Sequence, residues 1–169
     1  AENFSTDVMT GGLDERMFLY FRLSGSMKKA DGVDIIVSFL MESGVKMILK
    51  DLDQALQRGA KIRILTGNYL DITQPSALYL IKRKLGDQVD LRFYNDPKRS
   101  FHPKAYMFHY ATYSEMYIGS SNVSRSALTS GIEWNYRFNS KTDPESYQKF
   151  YETFEDLFEH HSTVIDEAE

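Results

Sequence analysis

The chain contains no cysteine, only four prolines, and no apolar run long enough to span a bilayer. Each absence removes a class of function. Without cysteine there is no disulfide, no zinc–thiolate site and no thiol nucleophile. No His-Glu-x-x-His is present and no dense cluster of Asp and Glu lies near the candidate residues named below, so no metal and no cofactor is expected. The opening residues AENFSTDVMT carry neither a basic region nor an apolar stretch, which points to a cytoplasmic protein without a membrane partner. Positive charge is also in deficit: 20 Lys and Arg face 24 Asp and Glu, for a net charge of −4. That balance excludes a protein that coats nucleic acid with its whole surface.

What is present suffices for a folded unit. The chain has 169 residues, 42% of them apolar and 14% aromatic, enough to bury a core and too short to suggest two domains. Residues 1–169 are therefore read as one domain. Because the chain starts at Ala1, it is expected to be excised from a larger protein. Its charge is uneven. Between residues 82 and 104, Lys82, Arg83, Lys84, Arg92, Lys98, Arg99 and Lys104 outnumber Asp87, Asp90 and Asp96, whereas the stretch from Glu152 onward holds acids and no Lys or Arg.

The hydrophobic pattern alternates between strand and helix. DGVDIIVSFLMESG reads as a buried strand over Ile35 to Leu40. In SGVKMILKDLDQALQRG, Val45, Ile48, Leu49, Leu52 and Leu56 fall at helical spacing, with Ser43 as N-cap and Gly59 as stop. AKIRILTG is a second strand, which completes a βαβ unit. QPSALYLIKRKLG is a further helix and QVDLRFYND a third strand. KAYMFHY and SEMYIGS, linked by ATYS, read as a hairpin, and GIEWNYRF as another strand. LDERMFLYFRLSGSMKKA reads as an opening helix. DPESYQKFYETFEDLFEHH closes the chain as an amphipathic helix that presents Tyr147, Phe150, Phe154, Leu157 and Phe158 on one face. The expected fold class is α/β, with a mixed, mainly parallel sheet flanked by helices.

One constellation carries chemistry. His102 and Lys104 are two apart at the start of a strand and so face the same way. Gly119-Ser120-Ser121-Asn122 follows the next strand, and hairpin pairing brings both segments to one end of the sheet. An imidazole, an ammonium and a carboxamide around one pocket suit a phosphoryl group. Lysine supplies charge, amide and hydroxyls donate to non-bridging oxygens, and histidine serves as nucleophile or general acid and base. Glu133 is the best carboxylate to orient the histidine. Ser120 and Ser121 suit a phosphate-binding turn, and Arg125 is a further phosphate contact. Trp134 and Tyr136 read as core or dimer-interface residues, and His160 and His161 only as cations at a helix C-terminus.

The segments FHPKAYMF and YIGSSNVSRSALTSGIEWNYRF resemble the active-site signature of the phospholipase D superfamily: His-x-Lys, an Asp a short way on, then Gly-Ser-x-Asn. The sequence departs at the Asp, where His109 stands five residues after Lys104. His102, Lys104, Asn122 and Glu133 are similar in type and spacing to the branch containing metal-independent restriction endonucleases. LTGNYLDITQPSALYLI and RFYNDPKRSFHPKAY resemble phospholipase D-like domains fused to bacterial helicases. The resemblance implies a metal-independent phosphodiesterase that cleaves nucleic acid, preferentially DNA. It would act through a phosphohistidine in a homodimer, each subunit giving one signature to a shared site, with helicase domains of the same chain as further partners. The alternative is a phospholipase D-like module that binds nucleic acid without turnover. A lipid-cleaving enzyme is the weakest reading, since no basic amphipathic helix is evident.

Overall fold

A computed structural model describes residues 4–67 and 73–165. The elements run β1 (Asp7–Met9), α1 (Leu19–Met27), β2 (Gly32–Val37), α2 (Glu42–Gln57), β3 (Lys61–Gly67), α3 (Pro75–Leu85), β4 (Val89–Tyr94), β5 (Lys104–His109), β6 (Ser114–Gly119), α4 (Arg125–Leu128), β7 (Asn135–Asn139), α5 (Pro144–His160) and β8 (Ser162–Val164). The strands form one eight-stranded sheet in the order β1-β7-β6-β5-β2-β3-β4-β8. Residues 68–72, which carry part of the helicase-like resemblance, lie outside the described residues.

The sheet is mixed, as its sequence suggests, but mostly antiparallel rather than mainly parallel. Only β2–β3 and β3–β4 are parallel. The pairs β1–β7, β6–β7, β5–β6, β2–β5 and β4–β8 are antiparallel. The reason is which segments pair. A parallel pair needs a crossover of about a dozen residues or more, and α2 and α3 supply one between β2 and β3 and between β3 and β4. The long links through α4 and α5 lead instead to strands that lie antiparallel to their neighbours. The short link after β5 returns as a hairpin.

Two apolar layers enclose the sheet. Val33, Ile35 and Val37 of β2 pack with Leu19, Leu23, Ile48, Leu52 and Ile81 of α1, α2 and α3. Ile36, Leu65, Met107 and Met116 pack with Tyr147, Phe154 and Phe158 of α5. Because β2 is covered on both faces, its sequence GVDIIV is a near-continuous apolar run.

Boundaries differ from the pattern where distant groups replace local signals. The β2 strand ends at Val37 rather than Leu40, because the chain turns there and Leu40 bridges Val123. Helix α2 begins at Glu42 with Met41 at the N-cap, not Ser43. The Gln74 side chain accepts from Glu42 N at 2.7 Å, while Ser43 Oγ accepts from Arg125 N at 3.2 Å. The opening helix divides into a 3-10 turn, Glu15–Met17, and α1. Residues 131–134 of GIEWNYRF precede the strand, so Glu133 lies in the approach to β7. The edge strands β1 and β8, three residues each, have no clear pattern in the sequence.

Candidate functional site

Register places the chemistry at one edge of the sheet. Lys104 opens β5 opposite Val37 at the end of β2, and Ala105 faces Ile118. Gly119, the last residue of β6, faces Asn135 at the start of β7. Everything immediately before β5 and β7, and everything immediately after β2 and β6, therefore emerges together. That set contains His102, Lys104, Ser120, Ser121, Asn122 and Glu133.

His102 is exposed, and Lys104 Nζ donates to its carbonyl oxygen at 2.9 Å. The ammonium is thereby held beside the histidine. His102, Lys104 and Gly119 line one cavity of about 330 Å³ that extends beneath α5. Asn122 is buried, and its Oδ1 accepts from Phe39 N, just after β2, at 3.1 Å. With its oxygen committed, Asn122 offers the Nδ2 donor, which pairs with no group among the described residues. Ser120 Oγ donates to Glu133 Oε2 and accepts from Trp134 N at 3.1 Å. The carboxylate and the loop after β6 are thus joined directly.

One expectation is corrected. Ser121 does not present its hydroxyl to a ligand: it is 0% exposed, donates to Ala127 O at 2.9 Å and accepts from Asn135 Nδ2 at 2.9 Å. Its work is to fold the loop. Arg125 is exposed at the first turn of α4. Trp134 is 72% exposed and so is not a core residue.

One supporting residue escaped sequence reasoning. Tyr106 is buried, and its hydroxyl donates to Ser121 O at 2.9 Å. Burial, and secondarily the charge of Glu133, push its phenol pKa up, so it stays a donor at neutral pH. The only signal was its place two residues beyond Lys104. Gly119 is required by space, because a Cβ there would lie 2.1 Å from Trp134 O.

His109 stands where the signature has its Asp, at the far end of β5, roughly 17 Å from Lys104 at strand rise. Its Nε2 lies 2.6 Å from Asp34 Oδ2 and its Nδ1 2.8 Å from Ser114 Oγ. The carboxylate bonded to His109 therefore comes from β2. Among the described residues, no group of three or more His, Cys, Asp or Glu is arranged to hold a metal, and no helix is long and apolar enough to cross a membrane.

The fold has close parallels. Nuc from Salmonella typhimurium, a phospholipase D family member, superposes with a TM-score of 0.70 at 18% identity, covering 95% of this chain and 99% of Nuc. NucT from Helicobacter pylori gives 0.71 at 15% identity, covering 96% and 100%. Phosphatidylserine synthase from Haemophilus influenzae gives 0.67 at 12% identity, covering 95% of this chain and 40% of the synthase. No curated protein sequence matches significantly. Residues 24–161 match the family described as "Cardiolipin synthase, PLD-like domain", a span that holds the entire edge just described, and the chain belongs to that phospholipase D-like family.

Proposed function

We propose that this chain is a metal-independent phosphodiesterase that cleaves nucleic acid, preferentially DNA, as one domain of a larger protein. The observation that carries the reading is the single edge gathering His102, the Lys104 ammonium against it, the uncommitted Nδ2 of Asn122, and Ser120 bonded to Glu133. Lys104 and Asn122 would hold the non-bridging oxygens, with Arg125 as an outer contact. His102 would attack phosphorus, forming a P–N bond as the P–O bond to the leaving oxygen breaks. A second histidine would protonate that oxygen, then take a proton from water as the water oxygen displaces the first histidine.

The chain has one signature, so the second histidine would come from a second copy related by a two-fold axis. Ile132 and Trp134 support this arrangement: they are 77% and 72% exposed, and they flank Glu133. An apolar rim next to an incomplete site is the surface a second copy would cover.

The rival is a module that binds nucleic acid without turnover, favoured by the net negative charge and the missing Asp. The second argument loses force because His109 lies at the far end of β5, away from the candidate site. The deciding experiment is cleavage of single- and double-stranded DNA in EDTA by wild type and His102→Ala purified side by side. Cleavage by wild type alone is expected; persistent cleavage by the variant removes the proposal, and binding without cleavage by wild type selects the rival.

A further inference from the structure

We infer that the cleft beneath α5 is a base-stacking subsite for an unpaired nucleotide next to the reacting phosphodiester, with the neighbouring phosphate held by Lys98 and Arg99. The inference rests on the phosphodiesterase reading and adds a substrate class to it: single-stranded or locally unpaired nucleic acid.

Three observations carry it. First, the 330 Å³ cavity that begins at His102 and Lys104 runs between the sheet and α5, where Met107, Met116, Phe154 and Leu157 make its walls apolar. Its size falls in the range of small-molecule sites, and two methionines make its floor adaptable. Second, Phe150 lies on the apolar stripe of α5 but is not buried like Tyr147, Phe154 and Phe158. It is 46% exposed and lines this cavity, with its ring centroid 6.1 Å from that of Phe138. A half-exposed ring at the rim of an apolar cleft, beside a phosphoryl site, is a stacking platform.

Third, a second cleft adjoins the first and shares Pro103 and Leu157 with it. Lys98, Arg99, Ser100, Phe101 and Tyr94 line it, and none of its lining residues is acidic. Two of its lining rings, Tyr94 and Phe101, stack on each other at 4.6 Å. Arg99 is paired only at the surface, with Asp96 at 3.4 Å, an interaction weak enough for a phosphate to displace. A cationic site at His102 and Lys104, an apolar slot beside it and a second cationic cleft that adjoins at Pro103 and Leu157 match a strand that presents consecutive phosphates with a base pendant from the sugar between them. A base in a duplex cannot enter the slot without leaving its stack, so paired strands pay an unpairing cost that single strands do not.

The test is fluorescence anisotropy in EDTA in a His102→Ala background, so that the strand stays intact. Probes are a labelled single-stranded oligonucleotide, its duplex, the same strand with abasic sites, and vesicles of anionic phospholipid. The single strand is expected to bind more tightly than the duplex or the abasic strand. Phe150→Ala should weaken single-strand binding about tenfold and leave abasic binding unchanged. The paired change Lys98→Ala with Arg99→Ala should lower the salt slope of single-strand binding by about 1.4.

Equal binding of single and abasic strands, or unchanged binding by Phe150→Ala, overturns the inference. Vesicle binding that depends on Phe150 without oligonucleotide binding also overturns it, by assigning the cleft to lipid. Phe150→Leu, which keeps the apolar volume without the ring, separates lost stacking from lost packing: recovery of wild-type binding sinks the stacking role. Phe150-dependent binding by a chain whose wild type never cleaves upholds this subsite while the phosphodiesterase reading fails, so the two are decided separately.

Discussion

Tyr106 is sealed beneath the loop after β6 and yet shapes it, because its hydroxyl holds the carbonyl of the residue before Asn122. Tyr106→Phe leaves that carbonyl unpaired and should cost about 1 kcal/mol in denaturant unfolding. Cleavage by the same variant should drop several-fold more than stability alone explains. Gly119 is the harder constraint. Gly119→Ala drives a methyl into Trp134 O at the β6–β7 junction and should cost about 2 kcal/mol or more in the same unfolding measurement. Among the candidate residues, the sequence displayed His102 and Lys104 as a pair two positions apart, and Asn122 as the end of the contiguous Gly-Ser-Ser-Asn run. It hid the supporting partners, because Phe39 reaches Asn122 across 83 positions and Tyr106 reaches Ser121 across 15.

Helix α5 is the element that roofs the candidate site, and charge ties it to the sheet. Arg63 on β3 bonds Asp34 of β2 at 2.6 Å and Glu155 of α5 at 2.6 Å, and its guanidinium lies 5.1 Å and 5.2 Å from the rings of Phe154 and Phe158. Burial alone would raise the Asp34 pKa, but hydrogen bonds from His109 and Arg63 outweigh it and hold it below the ordinary value. Glu155 is lowered as well, first by its bond to Arg63.

A carboxylate with a depressed folded pKa stabilises the native state above its unfolded value, near pH 4. That contribution is lost as pH falls through the folded value. Asp34→Ala should therefore cost about 3–5 kcal/mol at pH 7, because it leaves Arg63 and His109 without their buried partner. The gap between variant and wild type should narrow as unfolding is measured at successively lower pH below about 4. The apolar stripe of α5 was plain from its spacing, but the clamp was not: Arg63 and Glu155 are 92 positions apart.

For the whole molecule, the proposed dimer makes the sharpest demand. If each site needs a histidine from both copies, mixing wild-type and His102→Ala subunits should give cleavage that falls as the square of the wild-type fraction. Independent sites would give a straight line instead. Trp134→Asp places a charge on the proposed interface and should shift the protein from dimer to monomer in light scattering, with cleavage lost and the melting temperature of the monomer little changed.

The sequence by itself determined the alternation of strand and helix, the apolar faces and the set of residues that can handle a phosphoryl group. These follow from periods of two and 3.6 and from spacings of a few residues. Tertiary structure decided the rest. It made the sheet mostly antiparallel, because strand direction depends on which segments pair and not on their composition. It took Ser121 from the ligand and gave it to the loop, moved Glu133 ahead of its strand, and left Phe150 half exposed over a cleft. Each of those outcomes depends on contacts between residues distant in the chain, which no local pattern encodes.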